Sequence, residues 1–259
     1  MHSFLMPSSM RNDRISVALI GLGGNGGQML TGLAKLHQAM IALGHPAGLH
    51  VTAFDNDLVS ESNVGRQLYY ATDVGQNKAD VLVQRVNRCY GLDFESRPER
   101  LTERSLGDNY DLIIGCVDSA ASRRLIHQSY NWSLWLDLGN SNSSGQVVLG
   151  QHWRKQAEMR LPTVVDLFPE LLDSSLPEDD APSCSLADAL HKQELFINQG
   201  VSTFALNMLW TLFTHGALDY SAVFVNLKHA VASPLQIDPR MWKKRFGYSC
   251  KRSKAKAQA

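Results

Sequence analysis

The sequence lacks paired cysteines. It contains only four in 259 residues, far apart and without a CxxC pair: Cys89, Cys116, Cys184 and Cys250. A four-cysteine zinc site needs CxxC pairs, and a disulfide framework needs cysteines at characteristic spacings. We therefore predict neither zinc nor a disulfide scaffold. Unpaired thiols are typical of a reducing compartment, which predicts a cytoplasmic protein.

Long apolar runs and net charge are also missing. No apolar segment reaches the roughly 18 residues that a membrane span needs, and the first 13 residues lack the pattern of a signal peptide. Lysine plus arginine and aspartate plus glutamate each number 25, which gives a formal net charge of zero. We therefore expect neither a membrane nor a nucleic-acid partner. The length suits one large α/β domain, or one domain with a modest appendage.

Glycine is abundant in one stretch, 15–27, which reads ISVALIGLGGNGG. Its apolar start, Ile15 to Ile20, is typical of a strand buried on both faces of a parallel sheet. The glycines permit a sharp turn and let a phosphate approach backbone N–H groups, and the helical spacing that follows would aim a helix N-terminus at an anion. A plain tight turn remains the alternative. The candidate nucleotide-binding glycines are Gly21, Gly23, Gly24 and Gly26.

A second predicted strand, Leu49 to Phe54, ends at the acids Asp55 and Asp57. A carboxylate in this position commonly accepts two hydrogen bonds from a ribose diol. The usual gap between the glycines and this acid is about 20 residues. Because the gap here is longer, the intervening helix or loop carries an insertion. Asp57 fits support of the site and a simple turn equally well.

Further motifs follow in a fixed order after the glycine turn. They are D-x-D-x-V with S-N-x-x-R-Q in 55–67, G-x-x-K-A in 75–79, and an apolar strand that ends at Asp118. In this order the chain resembles the ThiF/MoeB/HesA family, the bacterial relatives of ubiquitin-activating enzymes, over about 15–145. The resemblance implies a Rossmann-like fold, ATP-dependent adenylation of a carboxyl terminus, and a two-fold dimer.

The resemblance also implies roles for residues of matching type. Arg66 and Lys78 would contact the ATP phosphates, beside Ser62 and Asn63, and Asp118 would hold Mg²⁺. These residue types suit the chemistry, because arginine presents a planar fork to phosphate oxygens. Mg²⁺ prefers oxygen ligands and bridges phosphates. Positioning and charge stabilisation would then account for most of the catalysis.

Each of these residues also has a structural interpretation. Asp118 could cap a helix predicted from Ser119 to Tyr130, since aspartate is favoured at N-caps. Ser62 and Asn63 could form a turn only, and Arg66 could be a solvated surface residue. The ordered pattern favours the nucleotide site over these separate explanations.

Residues 151–185 contain four prolines and the acidic run 178–180, a composition that predicts a long, partly mobile connection. The resemblance implies that it passes over the active site. Cys184 is its only cysteine and the candidate nucleophile for a thioester, if a helix beginning near Ser185 lowers its pKa. A small residue in a turn is the alternative. The family arginine that reaches the partner subunit's nucleotide has no clear match, and Arg11 and Arg14 are the candidates.

We therefore predict an α/β fold, a Rossmann-like and mainly parallel sheet flanked by helices, with a C-terminal helix and strand extension. The predicted segments are a flexible N-terminus (1–14), a nucleotide-binding domain (15–150), the crossover (151–185), the extension (186–242) and a basic, disordered tail (243–259). Apolar residues between Phe196 and Phe213 exceed one helix face. Either the same chain or a second copy covers the surplus, and the resemblance favours a homodimer.

The predicted function is ATP- and Mg²⁺-dependent adenylation of the C-terminal carboxylate of a small ubiquitin-like protein. Within the family the chain looks most like the ThiF-related member of the plasmid-borne PRTRC cassette, which implies such a partner. Two alternatives remain open. One is a non-catalytic module that binds the ubiquitin-like protein. The other is an NAD-dependent oxidoreductase, which would use Asp55 but leave Arg66 and Lys78 without a role.

Overall fold

The structure is a computed structural model, and it describes residues 2–102, 104–129, 131–152, 160–173 and 193–249. The strands are β1 (Phe4–Leu5), β2 (Ile15–Ile20), β3 (Leu49–Phe54), β4 (Glu95–Arg97), β5 (Tyr110–Gly115), β6 (Trp132–Asn140), β7 (Ser144–Gln151), β8 (Ala217–Leu218), β9 (Tyr220–Asn226) and β10 (Val231–Gln236). The helices are α1 (Ser9–Asn12), α2 (Gly24–Ala42), α3 (Lys78–Tyr90), α4 (Ala120–Gln128), α5 (Val164–Leu167), α6 (Ile197–His215) and α7 (Pro239–Phe246). Short 3-10 turns span Glu61–Asn63, Ala71–Asp73 and Pro169–Leu172.

One eight-stranded sheet organises the molecule, in the order β10-β9-β7-β6-β5-β2-β3-β4. Strands β4, β3, β2, β5 and β6 are parallel, whereas β6, β7, β9 and β10 pair antiparallel. The parallel strands β2, β3 and β5 are almost wholly buried, as their apolar sequences require. This architecture confirms the predicted fold class, including the C-terminal extension.

The chain order creates a crevice between β2 and β5. From β2 the chain runs outward to β3 and β4, and it then returns to add β5 and β6 on the other side. Ligands of open α/β sheets bind at the carboxyl ends of the strands where this direction switches. The glycine turn follows β2, and Asp118 follows β5. The topology therefore brings these two predicted features together.

A helical layer fixes the start of α2 beside α6. The Ser202 hydroxyl of α6 donates to the backbone carbonyl of Asn25 at 3.3 Å. Helix α3 begins where the Asn77 side chain accepts hydrogen bonds from two backbone N–H groups, and it ends at Gly91 in the left-handed conformation. Among the described residues, no helix combines the length and apolar character of a membrane span.

Both chain ends differ from the predicted segments. The N-terminal residues expected to be flexible form β1, which pairs with β8, and α1, because Phe4 and Met10 are buried in the core. The expected disordered tail from residue 243 instead continues α7 to Phe246, because Trp242 anchors this helix at 0% exposure. Residues 250–259 lie outside the described residues.

Candidate functional site

The glycine turn joins β2 to α2 where a side chain would not fit. Gly21 has φ +85°, and a Cβ there would lie 2.7 Å from the carbonyl oxygen of Cys116. A Cβ on Gly24 would overlap the side chain of Asn198. These glycines therefore let β5 and α6 approach the turn. Helix α2 has no side-chain cap at Gly23, which leaves its first N–H groups available to an anion.

Asp55 holds the glycine turn in place. Its Oδ2 accepts from the backbone N–H of Leu22 at 2.6 Å, and its Oδ1 accepts from that of Asp57 at 2.8 Å. Burial raises the pKa of Asp55, and the positive charge of Lys78 opposes this shift. The carboxylate predicted to bind ribose thus uses both oxygens on the backbone, and its ribose contact stays a prediction.

Lys78 lies beside the same loop. Its Nζ forms an ion pair with Asp57 Oδ2 at 2.8 Å, with the lysine side chain 11% exposed and the aspartate 59%. The Asn77 side chain donates to the backbone carbonyls of Asp55 and Asp57. Lys78 is therefore held next to the glycine turn, and the exposed carboxylate of Asp57 neutralises its charge.

Ser62 and Asn63 form the turn that was the structural alternative for them. The Asn63 Oδ1 accepts from the backbone N–H of Ser60 at 2.9 Å, and the hydroxyls of Ser60 and Ser62 lie 2.9 Å apart. Both predicted residues are buried. Their contacts shape the segment that presents Arg66 a few residues later.

Arg66 and Asp118 line one cleft of about 830 Å³. Arg66 is half-buried, its Nη1 donates to Gln193 Oε1 at 3.0 Å, and its buried Nε has no partner among the described residues. Burial lowers the pKa of Arg66, and the negative charge of Asp118 opposes the shift. A buried guanidinium donor without a partner favours an anionic ligand at this position.

Asp118 is free for a ligand. The N-cap of α4 is Ser119, whose hydroxyl accepts from the backbone N–H of Ser122 at 3.2 Å, so the cap interpretation of Asp118 is wrong. Asp118 is exposed in the cleft, and within the described ranges no residue donates to its carboxylate. An exposed carboxylate beside an arginine can hold a cation that also binds phosphate oxygens.

A buried ion pair that the motifs did not indicate supports this loop. Arg123 Nε donates to Asp137 Oδ1 at 3.1 Å, with the two residues 6% and 0% exposed. The Arg123 Nη1 donates to the Asp118 carbonyl at 3.3 Å. Burial raises the pKa of Asp137, and Arg123 opposes the shift. The position of Arg123, one helical turn into α4, was the available signal, because such a side chain reaches back towards the preceding strand end.

Two amides complete the cleft, and no sequence signal identifies them. Gln193 Oε1 accepts from Arg66 and from Asn198 Nδ2, the latter at 3.2 Å. Asn140 Oδ1 accepts from Asn25 Nδ2 at 2.7 Å. The contacts of Gln193 with Arg66 and of Asn140 with Asn25 join segments more than 100 residues apart in sequence. Only the folded sheet brings them together.

Among the predicted site residues that the structure describes, only Arg66 and Asp118 line the cleft. Cys184 lies outside the described residues. Arg11 Nη2 donates to the Gly216 carbonyl at 3.2 Å, and Arg14 forms an exposed ion pair with Asp93 at 2.8 Å. Within the described ranges, no three His, Cys, Asp or Glu side chains cluster as metal ligands. A metal at Asp118 would therefore depend on oxygen ligands from a bound phosphate and water.

The sequence is similar to two curated proteins. It is 25% identical over 204 residues to Ubiquitin-activating enzyme E1 1 of Candida albicans (strain WO-1), a match that covers 73% of this chain and 18% of that protein. It is 30% identical over 125 residues to Adenylyltransferase and sulfurtransferase UBA4 of Yarrowia lipolytica (strain CLIB 122 / E 150), covering 46% of this chain and 28% of that protein. The matches thus span less than a third of either relative.

The fold is also found in a solved structure. Escherichia coli MccB with ATP superposes with a TM-score of 0.54 at 14% identity, over 88% of this chain and 65% of that one. At this identity the likeness establishes the fold alone. The model of the ThiF family matches residues 8–191, which include β2, the glycine turn, Arg66 and Asp118. With that match across most of its length, the chain belongs to the ThiF family.

Proposed function

We propose that this protein adenylates a carboxyl terminus with ATP. A carboxylate oxygen of the acyl substrate attacks the α-phosphorus, the bond from that phosphorus to the bridging oxygen of the β-phosphate breaks, and pyrophosphate leaves. The observation that carries the proposal is the shared cleft of Arg66, with its partnerless Nε, and Asp118, with its free carboxylate.

The proposed role of each residue follows from its charge. Arg66 would bind phosphate oxygens and stabilise the charge that develops on them, and the uncapped start of α2 would add N–H donors. Asp118 would hold Mg²⁺, which neutralises phosphate charge when bound. Lys78 would add positive charge beside the glycine turn, where Asp57 orients it. Asp55 would keep the glycine turn rigid.

The acyl substrate that we propose is a small ubiquitin-like protein. Support comes from the names of the two relatives, a ubiquitin-activating enzyme and an adenylyltransferase, and from membership of the ThiF family. The resemblance to the PRTRC member of the family makes a ubiquitin-like protein of such a plasmid cassette the first candidate. The non-catalytic alternative keeps the same partner but forms no adenylate.

Two measurements separate the alternatives. ATP–pyrophosphate exchange with a candidate ubiquitin-like protein ending in Gly-Gly tests the chemistry, and incorporation that depends on both proteins is expected. Thermal denaturation with ATP and Mg²⁺, or with NAD, tests the nucleotide. Protection by NAD alone would favour the oxidoreductase, and protection by ATP without exchange for any candidate would favour the binding module.

Arg66→Ala is expected to weaken ATP binding. A lost hydrogen bond to a charged group costs about 1.5–3 kcal/mol, which corresponds to a roughly 10- to 150-fold higher Kd. Isothermal titration with a non-hydrolysable ATP analogue measures this. Arg88→Ala removes an exposed arginine on α3 that does not line the cleft, and it serves as the control. Equal Kd values for both variants would remove Arg66 from the phosphate site.

We also propose a homodimer that uses the start of α6. Phe196 is 64% exposed and Leu195 42% exposed, and Leu227, 37% exposed, lies against Gly200 on the next turn. Phe204, by contrast, is half-buried against the core.

Because Phe196 is the most exposed of these residues, Phe196→Glu is expected to give a folded monomer in light scattering, since a charge would be buried at the contact. Leu43→Glu, at a 68% exposed position, is the control. A wild-type monomer at micromolar concentration would contradict the dimer.

A further inference from the structure

The cleft continues as an open floor over the antiparallel part of the sheet. One cross-strand row runs through Gly139 of β6, Gln146 of β7, Phe224 of β9 and Ser233 of β10, and all four residues line the cleft. Neighbouring residues of a strand face opposite sides of the sheet. Since Gly145 faces Val201 of α6, this row lies on the side away from α6. The floor therefore extends from the Arg123 end of the cleft to the edge strand.

A positively charged turn lies over β9, the third strand of this row. Arg245, in the last turn of α7, lines the same cleft, and its guanidinium lies 5.3 Å from the ring centres of both Phe224 and Phe246. Lys243 and Lys244 are exposed beside it. Within the described ranges, none of the three cations has a carboxylate within 4.0 Å. Of the three, Arg245 lines the cleft and is held by its two ring contacts, so it is the fixed, unpaired positive charge over the floor.

The length of the floor determines which residue of a bound, extended peptide reaches Arg245. From β5, which precedes Asp118, to β9, whose Phe224 contacts Arg245, there are three strand spacings, a distance of about 14 Å. An extended chain rises about 3.3 Å per residue, so about four residues cross this distance. A peptide whose carboxylate lies beside Asp118 and Arg66 would place its fourth or fifth residue from the end at Arg245.

We propose that Arg245 binds an acidic side chain of the acyl substrate, at the fourth or fifth residue from its C-terminal end. The inference rests on the proposed function, because that function places the carboxylate at the Asp118 end. Charge complementarity selects the occupant, since the unpaired Arg245, with Lys243 and Lys244 nearby on the helix, favours carboxylates and disfavours lysine or arginine. Stacking on Phe224 and Phe246 holds the Arg245 guanidinium over the floor, where a passing acid can reach it.

Fluorescence anisotropy with labelled peptides tests this on the full chain with ATP and Mg²⁺. Two peptides end in Gly-Gly and differ only at the fourth and fifth residues from the end, which are Glu-Glu or Ala-Ala. The wild-type protein is expected to bind the Glu-Glu peptide about fivefold more tightly, as suits partly exposed charge pairs. Arg245→Glu is expected to abolish this preference. Arg88→Glu, the same charge change on the last turn of α3, is expected to retain it.

Equal affinity of the wild type for the two peptides, or no binding of either, would overturn the docking site. So would an undiminished preference in Arg245→Glu. Heat protection by ATP and Mg²⁺ reports on the nucleotide site separately, and it is expected to be the same in Arg245→Glu and wild type. A preference for the Glu-Glu peptide in a protein that ATP does not protect would refute the proposed function and leave the acidic docking site standing.

Discussion

Asp118→Ala is expected to abolish ATP–pyrophosphate exchange, with a loss of about 100-fold or more. The carboxylate of Asp118 is exposed in the cleft with Arg66 and is not used to cap α4. Its removal would leave Mg²⁺ and the phosphates without an organising ligand, while the fold stays intact. Exchange rates at saturating ATP, together with circular dichroism of the variant, measure the two expectations.

Two variants sharpen this test. Asp118→Asn keeps the shape and removes the charge, so its exchange rate is expected to fall almost as far. Glu170→Ala removes an exposed acid from the turn Pro169–Leu172, and it is expected to leave the rate unchanged. An Asp118→Ala protein that exchanges at more than about a third of the wild-type rate would refute the role of this residue.

Cys184→Ser separates adenylation from thiol transfer in the same assay. Exchange is expected to persist, because the adenylate forms before any thiol reacts. The variant is expected to lose an adduct with the ubiquitin-like protein that reducing agent cleaves, since serine cannot form a thioester. Non-reducing gels detect this adduct. A thioester that persists in Cys184→Ser would assign the thiol to another residue or to a separate carrier.

Asp137→Ala is expected to be the most destabilising single change considered, at about 3–5 kcal/mol. Asp137 and Arg123 form an ion pair with 0% and 6% exposure, so the substitution leaves a buried guanidinium without its partner. Urea denaturation measures the free energy of unfolding. The control Asp93→Ala breaks an ion pair between side chains that are 73% and 44% exposed, and it is expected to cost about 1 kcal/mol or less.

A double variant distinguishes stability from positioning. Replacing both Arg123 and Asp137 with leucine removes the buried charges together, and apolar replacements of this kind are often neutral for stability. ATP–pyrophosphate exchange by the double variant is nevertheless expected to be slower than in the wild type, because the Asp118 carbonyl loses its hydrogen bond from Arg123 Nη1. An Asp137→Ala protein within about 1 kcal/mol of wild type would contradict the importance of the pair, and full activity in the double variant would refute its positioning role.

Local sequence determined the central strands and the helix that follows the glycine turn. The apolar run from Ile15 to Ile20 coincides with β2, and the run from Leu49 to Phe54 coincides with β3. These elements are buried on both faces, so their composition alone indicates them. The chain ends were harder to predict, because Met10 and Trp242 are held by contacts with distant elements rather than by local pattern.

The sequence by itself determined the fold class, the order of the strands along the chain and the identity of Arg66 and Asp118 as candidates, because these follow from periodicity and from short motifs. Only the tertiary structure decided which residues meet. It paired Asp55 with the backbone of the glycine turn, tied Lys78 to Asp57, and added Arg123, Asp137 and Gln193 to the site. The physical reason is that hydrogen bonds and ion pairs depend on distances of a few ångströms between side chains. Packing of the sheet and helices sets these distances across long sequence separations.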